Sequence, residues 1–363
     1  MTASVLAVVG ARPNFVKTAP VVAALEKSEG ISLRLLHTGQ HYDRALSGGF
    51  IERLGMREPD ANLGVGSGTH ADQTAGVLTG VEADLLENPA DLVLVAGDVN
   101  STMAAALAAT KLGTAVAHIE SGLRSNDWEM PEEVNRVVTD RVSDLLLCTS
   151  QDAVLNLAGE GIEGDAVQLV GNTMIDSLFR LLEDVNRPAV LGRNAVKSRG
   201  FVLVTLHRPA LVDDPERLGP TMDVLGEIAD SIPVIFPVHP RTRDRLAGTG
   251  SGWGKVILTP PMDYDDFIAL EAEARLVITD SGGIQEETTV LGVPCLTYRT
   301  TTERPITIEL GTNELVGIDP DALRDAAQRS LAADPPAKAP EIPLWDGKAG
   351  PRAAAAIESF LTS

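Results

Sequence analysis

Positive charge is in short supply in this chain: 30 Lys and Arg stand against 51 Asp and Glu, a formal net charge of −21. That balance argues against a nucleic acid or an anionic membrane surface as partner, because both collect on basic faces. An anionic small ligand would have to be held by a local cluster of cations working against the global field. Each Arg, Lys or His in a loop motif therefore carries information. Cysteine is nearly absent as well. Cys148 and Cys295 are the two in 363 residues, each in or beside an apolar strand-like run. They read as buried free thiols and exclude a disulfide framework. Aromatics make up 4% of a chain that is 44% hydrophobic, so the cores are aliphatic, which suits parallel strands covered by helices. No apolar run reaches the length of a membrane span. The first residues lack a basic leader region, and Arg12 interrupts the opening apolar run. The expectation is a cytoplasmic enzyme.

What is present is alternation. Apolar strand-like runs at 5–9, 33–37, 92–95, 115–119, 145–148 and 167–170 are separated by amphipathic helical patterns, for instance at 15–27, 101–112 and 134–142. Residues 183–199 turn polar and show no strand signal. A second series follows at 202–205, 234–238, 256–258, 276–279, 295–298 and 315–317. This is α/β patterning and predicts two Rossmann-like, doubly wound domains facing across a cleft. Residues 1–171 form the first and 172–350 the second, with an Ala-rich helix over about 351–363 packing back on the first. Ligands in open sheets of this kind bind beyond the carboxyl ends of the strands.

Polar motifs fall at those ends. Ser281-Gly282-Gly283-Ile284-Gln285-Glu286-Glu287 reads as strand, tight turn and helix N-terminus, a seat for a diphosphate, with Glu287 one turn in and able to accept from a ribose diol. An ordinary strand-to-helix turn reads the same way. Gly10-Ala11-Arg12-Pro13-Asn14-Phe15-Val16-Lys17 is neither a dinucleotide fingerprint nor a Walker loop, yet Arg12 and Lys17 are placed to meet an anion. Asp98 closes the third strand and Glu120 the next; Glu132 and Glu133 open the helix that begins at Pro131. Helix capping and dipole-favouring acids explain some of these alone. Three carboxylates brought together raise one another's proton affinity and suit proton transfer at carbon; divalent metal binding is the competing use, without an Asp-x-Asp or a His pair to support it. Strand-end histidines followed by arginine, His207-Arg208 and His239-Pro240-Arg241, suggest a cationic wall for phosphates.

These motifs, in order, resemble those of the bacterial non-hydrolysing UDP-N-acetylglucosamine 2-epimerases. Gly10-Ala11-Arg12-Pro13, Gly39-Gln40-His41, Gly97-Asp98, His118-Ile119-Glu120-Ser121-Gly122-Leu123-Arg124 and Pro131-Glu132-Glu133-x-Asn135-Arg136 carry the first half. Gly171-Asn172-Thr173, Thr205-Leu206-His207-Arg208, Ser281 to Glu287 and Thr302-Glu303-Arg304-Pro305 carry the second. The resemblance spans about residues 5–318. It implies the GT-B fold, no cofactor and no metal, a homodimer, and elimination of UDP to a bound 2-acetamidoglucal followed by re-addition. Asp98, Glu120 and Glu132 would supply acid and base. Arg12, Lys17, Arg136 and His207 would handle the diphosphate and sugar; Ser281, Gly282 and Gly283 the phosphates; Glu287 the ribose; Met262, Phe267 and Arg304 the uracil side.

Two departures stand out. Relatives continue Arg-Glu after His207-Arg208, where this chain has Pro209-Ala210. Some bacterial relatives hold a second substrate molecule as activator near Gln40 and His41, and residues 42–46 and 64–70 here differ from that pattern. Rival readings are a hydrolysing 2-epimerase, a 2-epimerase of a modified UDP-amino sugar, a GT-B glycosyltransferase, and a nucleotide-sugar-binding protein without catalysis.

Overall fold

The computed structural model describes residues 2–39, 51–238, 240–246, 253–334 and 336–363. The chain divides into two compact units, one of residues 1–180 with 343–363, the other of residues 181–342. Each is built on one parallel sheet. In the first, β1 (Ala3–Val9), β2 (Ile31–His37), β3 (Ala61–Asn62), β4 (Leu92–Ala96), β5 (Ala115–Ser121), β6 (Leu145–Cys148) and β7 (Val167–Leu169) lie in the order 3-2-1-4-5-6-7. In the second, β8 (Val202–Thr205), β9 (Val234–Pro237), β10 (Ile257–Thr259), β11 (Leu276–Thr279), β12 (Cys295–Thr297) and β13 (Asn313–Leu315) lie in the order 10-9-8-11-12-13.

The central strands are buried along their whole length, β4 and β11 without a break, which is why they read as continuous apolar runs. Small residues let helices sit close to the first sheet: Ala104, Ala105 and Ala108 of the helix Asn100–Leu112 pack against Leu6, Val8, Val93 and Val95. In the second unit Met222 and Leu225 of the helix Pro215–Ala229 cover Val202, Val204, Phe236 and Ile278. Cys148 and Cys295 are free and buried, and burial pushes each thiol up to about 12.

The last helix, Ala349–Thr362, lies against the helix Arg12–Leu25. Asp176 accepts the backbone N–H groups of Ala349 and Gly350 at 3.1 and 2.8 Å, satisfying donors that a helix start leaves orphaned. Gly350 is needed there, since a Cβ would come within 2.6 Å of Pro20. Three elements differ from the sequence reading. β3, two residues long, carries too little pattern to be seen. The last strand of the second sheet begins at Asn313 rather than Leu315. The polar stretch 183–199 contains a short helix, Arg187–Arg193, started by Asn186, whose side chain accepts from Ala189 N. Among the described residues no helix is long and apolar enough to cross a membrane.

In both sheets the strand order reverses beside the first strand: between β1 and β4 in one, between β8 and β11 in the other. At such a switch point the connections leave in opposite directions and open a crevice at the carboxyl ends. Gly10, Lys17 and Asp98 follow β1 and β4; His207 and Ser281 follow β8 and β11.

Candidate functional site

In the first unit the acids are not bare. Lys17, 6% exposed, reaches from the helix Arg12–Leu25 to pair with Glu120 Oε2. Arg136, buried in the helix Pro131–Val142, places Nη2 at 2.8 Å from Asp98 Oδ2 and pairs through Nη1 with Glu133. Gly97 lies against the first of these pairs: a Cβ there would meet Lys17 Nζ at 2.9 Å and Glu120 Oε2 at 3.2 Å. Its φ of +68° is the left-handed region open to glycine. Glu120 adopts the same region at φ +68° without glycine's freedom, at an irregularity in the β5–β6 ladder. Such strain, roughly 1–3 kcal/mol, persists where surrounding contacts over-determine it. Here the Lys17 pair and the bulge do so.

From the sequence, Asp98, Glu120 and Glu132 are expected to raise one another's proton affinity. The structure interleaves cations instead, which offsets that repulsion. It also puts Glu133, not Glu132, into the network: Glu133 accepts from Ser125 N and Asn126 N and pairs with Arg136. Glu132, on the first turn of the same helix, is half-buried and joins no ion pair among the described residues. Asn135 supports the loop by donating to Asp98 O at 2.9 Å. Asn14 donates to Ala96 O at 2.7 Å and ties the first helix to the end of β4. Behind Glu120, buried His118 bridges Gly97 O at 2.8 Å and Asp140 at 2.7 Å. Asp140 also accepts from Gly122 N and Arg124. Burial pushes its carboxyl up, but His118 and Arg124 together outweigh that and hold it below the usual carboxylate range.

In the second unit Ser281 stands at the N-cap position of the helix Gly282–Leu291, and its N–H donates to Thr279 Oγ1 at 3.0 Å. Ser281, Gly282 and Gly283 are partly exposed, as a phosphate seat requires. Gly282 has a second reason to lack a Cβ. Arg304 Nη1 and Glu303 Oε1 would lie 2.4 and 2.6 Å from one. Arg304 is 4% exposed and pairs with Glu303 and with Glu286, at 2.9 Å in the latter case; Arg299 joins Glu303 at 2.8 Å. The guanidinium expected beside a uracil thus stands beneath the glycine turn. Phe267 and Met262 are half-buried against one core cluster. Glu287 is buried, and Tyr264 donates to its Oε1.

His207 is held by a residue the sequence reading passed over. Asp280 lies 2.8 Å from His207 Nδ1 and accepts both the His207 and Arg208 backbone N–H groups at 2.8 Å. Its position at a strand end, like that of Asp98, was the available signal. Gln40, His41, His239 and the Arg12 side chain lie outside the described part of the structure.

Two Rossmann-like units, each with its charged motifs at the switch point, define a protein of GT-B architecture. The model of the UDP-N-acetylglucosamine 2-epimerase family matches residues 23–358. The chain belongs to that family. It is 39% identical over 95% of its length to the UDP-N-acetylglucosamine 2-epimerase of Methanocaldococcus jannaschii, covering 96% of that protein. It is 41% identical over 90% of its length to the UDP-2,3-diacetamido-2,3-dideoxy-D-glucuronate 2-epimerase of Pseudomonas aeruginosa, covering 92% of it. The crystal structure of the M. jannaschii enzyme in complex with UDP-GlcNAc and UDP superposes with a TM-score of 0.87, with 99% of both chains covered.

Proposed function

We propose that this protein is a non-hydrolysing UDP-N-acetylglucosamine 2-epimerase that interconverts UDP-N-acetylglucosamine and UDP-N-acetylmannosamine. The observation that carries the reading is the pair of acids at the β4 and β5 ends, each with its own cation: Asp98 with Arg136 and Glu120 with Lys17. Epimerisation at C2 needs a group to take a proton from one face and a group to return one to the other. In the forward half, the C2–H and anomeric C–O bonds break, the C–H electron pair becomes the C1=C2 double bond, and UDP departs with the C–O pair. The glycal stays bound. A UDP oxygen then re-forms the bond to C1 while C2 takes a proton on the opposite face, so no oxidant or reductant is needed.

Asp98, Glu120 and Glu132 serve as the acid and base groups in this reading. Arg12, Lys17, Arg136 and His207 stabilise the charge that develops on the departing diphosphate. Backbone N–H groups at Ser281, Gly282 and Gly283 seat its phosphates with Arg304 beneath that turn, Glu287 takes the ribose, and Phe267 and Met262 shape the uracil side. The enzyme works as a homodimer in the cytoplasm.

A second reading rests on one observation: the Pseudomonas relative named for a diacetamido glucuronate is as similar as the one named for the simple amino sugar. Incubation with each nucleotide sugar in deuterated water tests both. Deuterium at C2 of an intact UDP-sugar supports epimerisation and identifies the sugar. Free UDP with N-acetylmannosamine would move the protein to the hydrolysing branch. No deuterium in any recovered sugar overturns the proposal.

A further inference from the structure

On the helix Tyr264–Glu273, the residues Tyr264, Phe267, Ile268 and Glu271 fall at i, i+3, i+4 and i+7, the spacing of a core-facing stripe. An acid in the fourth place runs against that pattern. Glu271 is fully buried, and neither carboxyl oxygen meets a hydrogen-bond donor among the described residues. Its neighbour is the buried carboxyl of Glu287, on the helix Gly282–Leu291, which already accepts from Tyr264. A buried carboxyl without a donor, beside a second carboxyl, resolves its cost by keeping a proton and becoming the donor itself.

The surrounding groups agree. Burial first, and the Glu287 charge after it, push Glu271 well above the usual carboxylate range. Burial raises Glu287 too, and the bonds from Tyr264 and Glu271 offset part of that. Asp265 on the same helix acts on Tyr264, and Cys295 on β12 faces Glu271. Burial drives the Tyr264 hydroxyl well up and the Cys295 thiol to about 12. Among the described residues no Lys, Arg or His acts on the two carboxyls.

We propose that Glu271 is a positioning residue for nucleotide recognition: it donates its proton to Glu287 and, with the Tyr264 hydroxyl, fixes the Glu287 carboxylate to accept from the two hydroxyls of a ribose. This rests on the ribose reading of Glu287 given above. Diol recognition then depends on one shared proton. Once that proton is lost, two like charges face each other in a dry site and the carboxylate leaves its position.

Calorimetric titration of the full chain with UDP and with 2′,3′-dideoxy-UDP, from about pH 6 to about pH 10, tests this, because the ratio of the two dissociation constants cancels the titration of the diphosphate itself. The wild type should favour UDP roughly tenfold or more, since hydrogen bonds to a charged acceptor are lost with the diol, and the ratio should fall towards one as the solution becomes alkaline. Glu271→Gln, which always donates, should keep the ratio at every pH. Glu271→Leu, which suits an apolar site, should bring it near one throughout, with thermal melting to verify folding. A wild-type ratio near one removes Glu287 from the ribose and this inference with it. A high ratio that ignores pH and survives Glu271→Leu leaves the ribose reading standing and overturns the role of Glu271. The wild-type pH series decides the matter even where a variant does not fold.

Discussion

Asp280 Oδ1 lies 2.8 Å from His207 Nδ1, while Asp280 Oδ2 accepts the backbone N–H groups of both His207 and Arg208. One buried carboxylate therefore sets the loop after β8 and the direction of the imidazole, whose side chain is 58% exposed. Burial pushes Asp280 up, but the contacts with His207 and the two N–H groups outweigh it and hold the carboxyl below its ordinary range. Turning Nδ1 towards Asp280 leaves Nε2 as the nitrogen available to a ligand. Asp280→Asn should lower kcat/KM by roughly ten- to a hundredfold, the scale lost when the partner behind a functional imidazole is removed. Turnover equal to wild type in steady-state assays would leave His207 without need of its partner.

Asp98→Asn tests the acid–base assignment most directly. Arg136 keeps an oxygen to donate to, so the fold around Gly97 and the affinity for UDP should change little. Turnover should fall by about two orders of magnitude or more, as for loss of a general acid or base. Calorimetry for UDP and a coupled assay for product separate the two effects. Near-normal turnover would take Asp98 out of the reaction.

Gly97→Ala probes the crowding beside the Lys17–Glu120 ion pair. The backbone φ of +68° costs an alanine about 1–2 kcal/mol, and its methyl would collide with Lys17 Nζ at 2.9 Å. Lys17 is buried and cannot retreat to solvent without breaking its ion pair with Glu120. Thermal unfolding should show the loss of stability, and turnover should drop by at least about tenfold because the Lys17–Glu120 pair moves. A stable and active variant would mean that the loop yields without disturbing that pair.

The sheets were legible because parallel strands buried on both faces are written as unbroken apolar runs, as at residues 92–96 and 276–279. Motif positions followed from the strands, since each ended at a strand terminus. Partnership was not legible. Nothing local says that Glu133 rather than Glu132 turns inward to Arg136, or that Lys17 crosses to Glu120; both depend on how the helices at Arg12 and Pro131 meet the sheet. Arg304 reads as a loop cation in the sequence, yet folding brings it under Gly282 against Glu286 and Glu303. Glu271 did leave a trace, as an acid at the core position of a helical stripe, a mismatch of the kind that marks a functional or strained site.

Asp140 makes the sharpest statement about pH. It is fully buried and takes bonds from His118, Arg124 and Gly122 N, so that it fixes the backbone on both sides of Glu120. Its folded-state pKa is depressed from an ordinary 3.8. A depressed carboxyl contributes stability that is fully present above the unfolded value and disappears as pH falls through the folded one. Asp140→Asn should therefore cost about 3 kcal/mol at neutral pH, because Arg124 loses a buried counter-charge. That deficit should hold as the solution is acidified and close only below the ordinary 3.8, where the wild-type carboxyl takes up its proton. Urea unfolding of both proteins across the acid range measures the gap. A deficit that narrows already near neutrality would transfer the pH dependence to another group, and one that persists in strong acid would show that the charge of Asp140 is not what holds the strand end together.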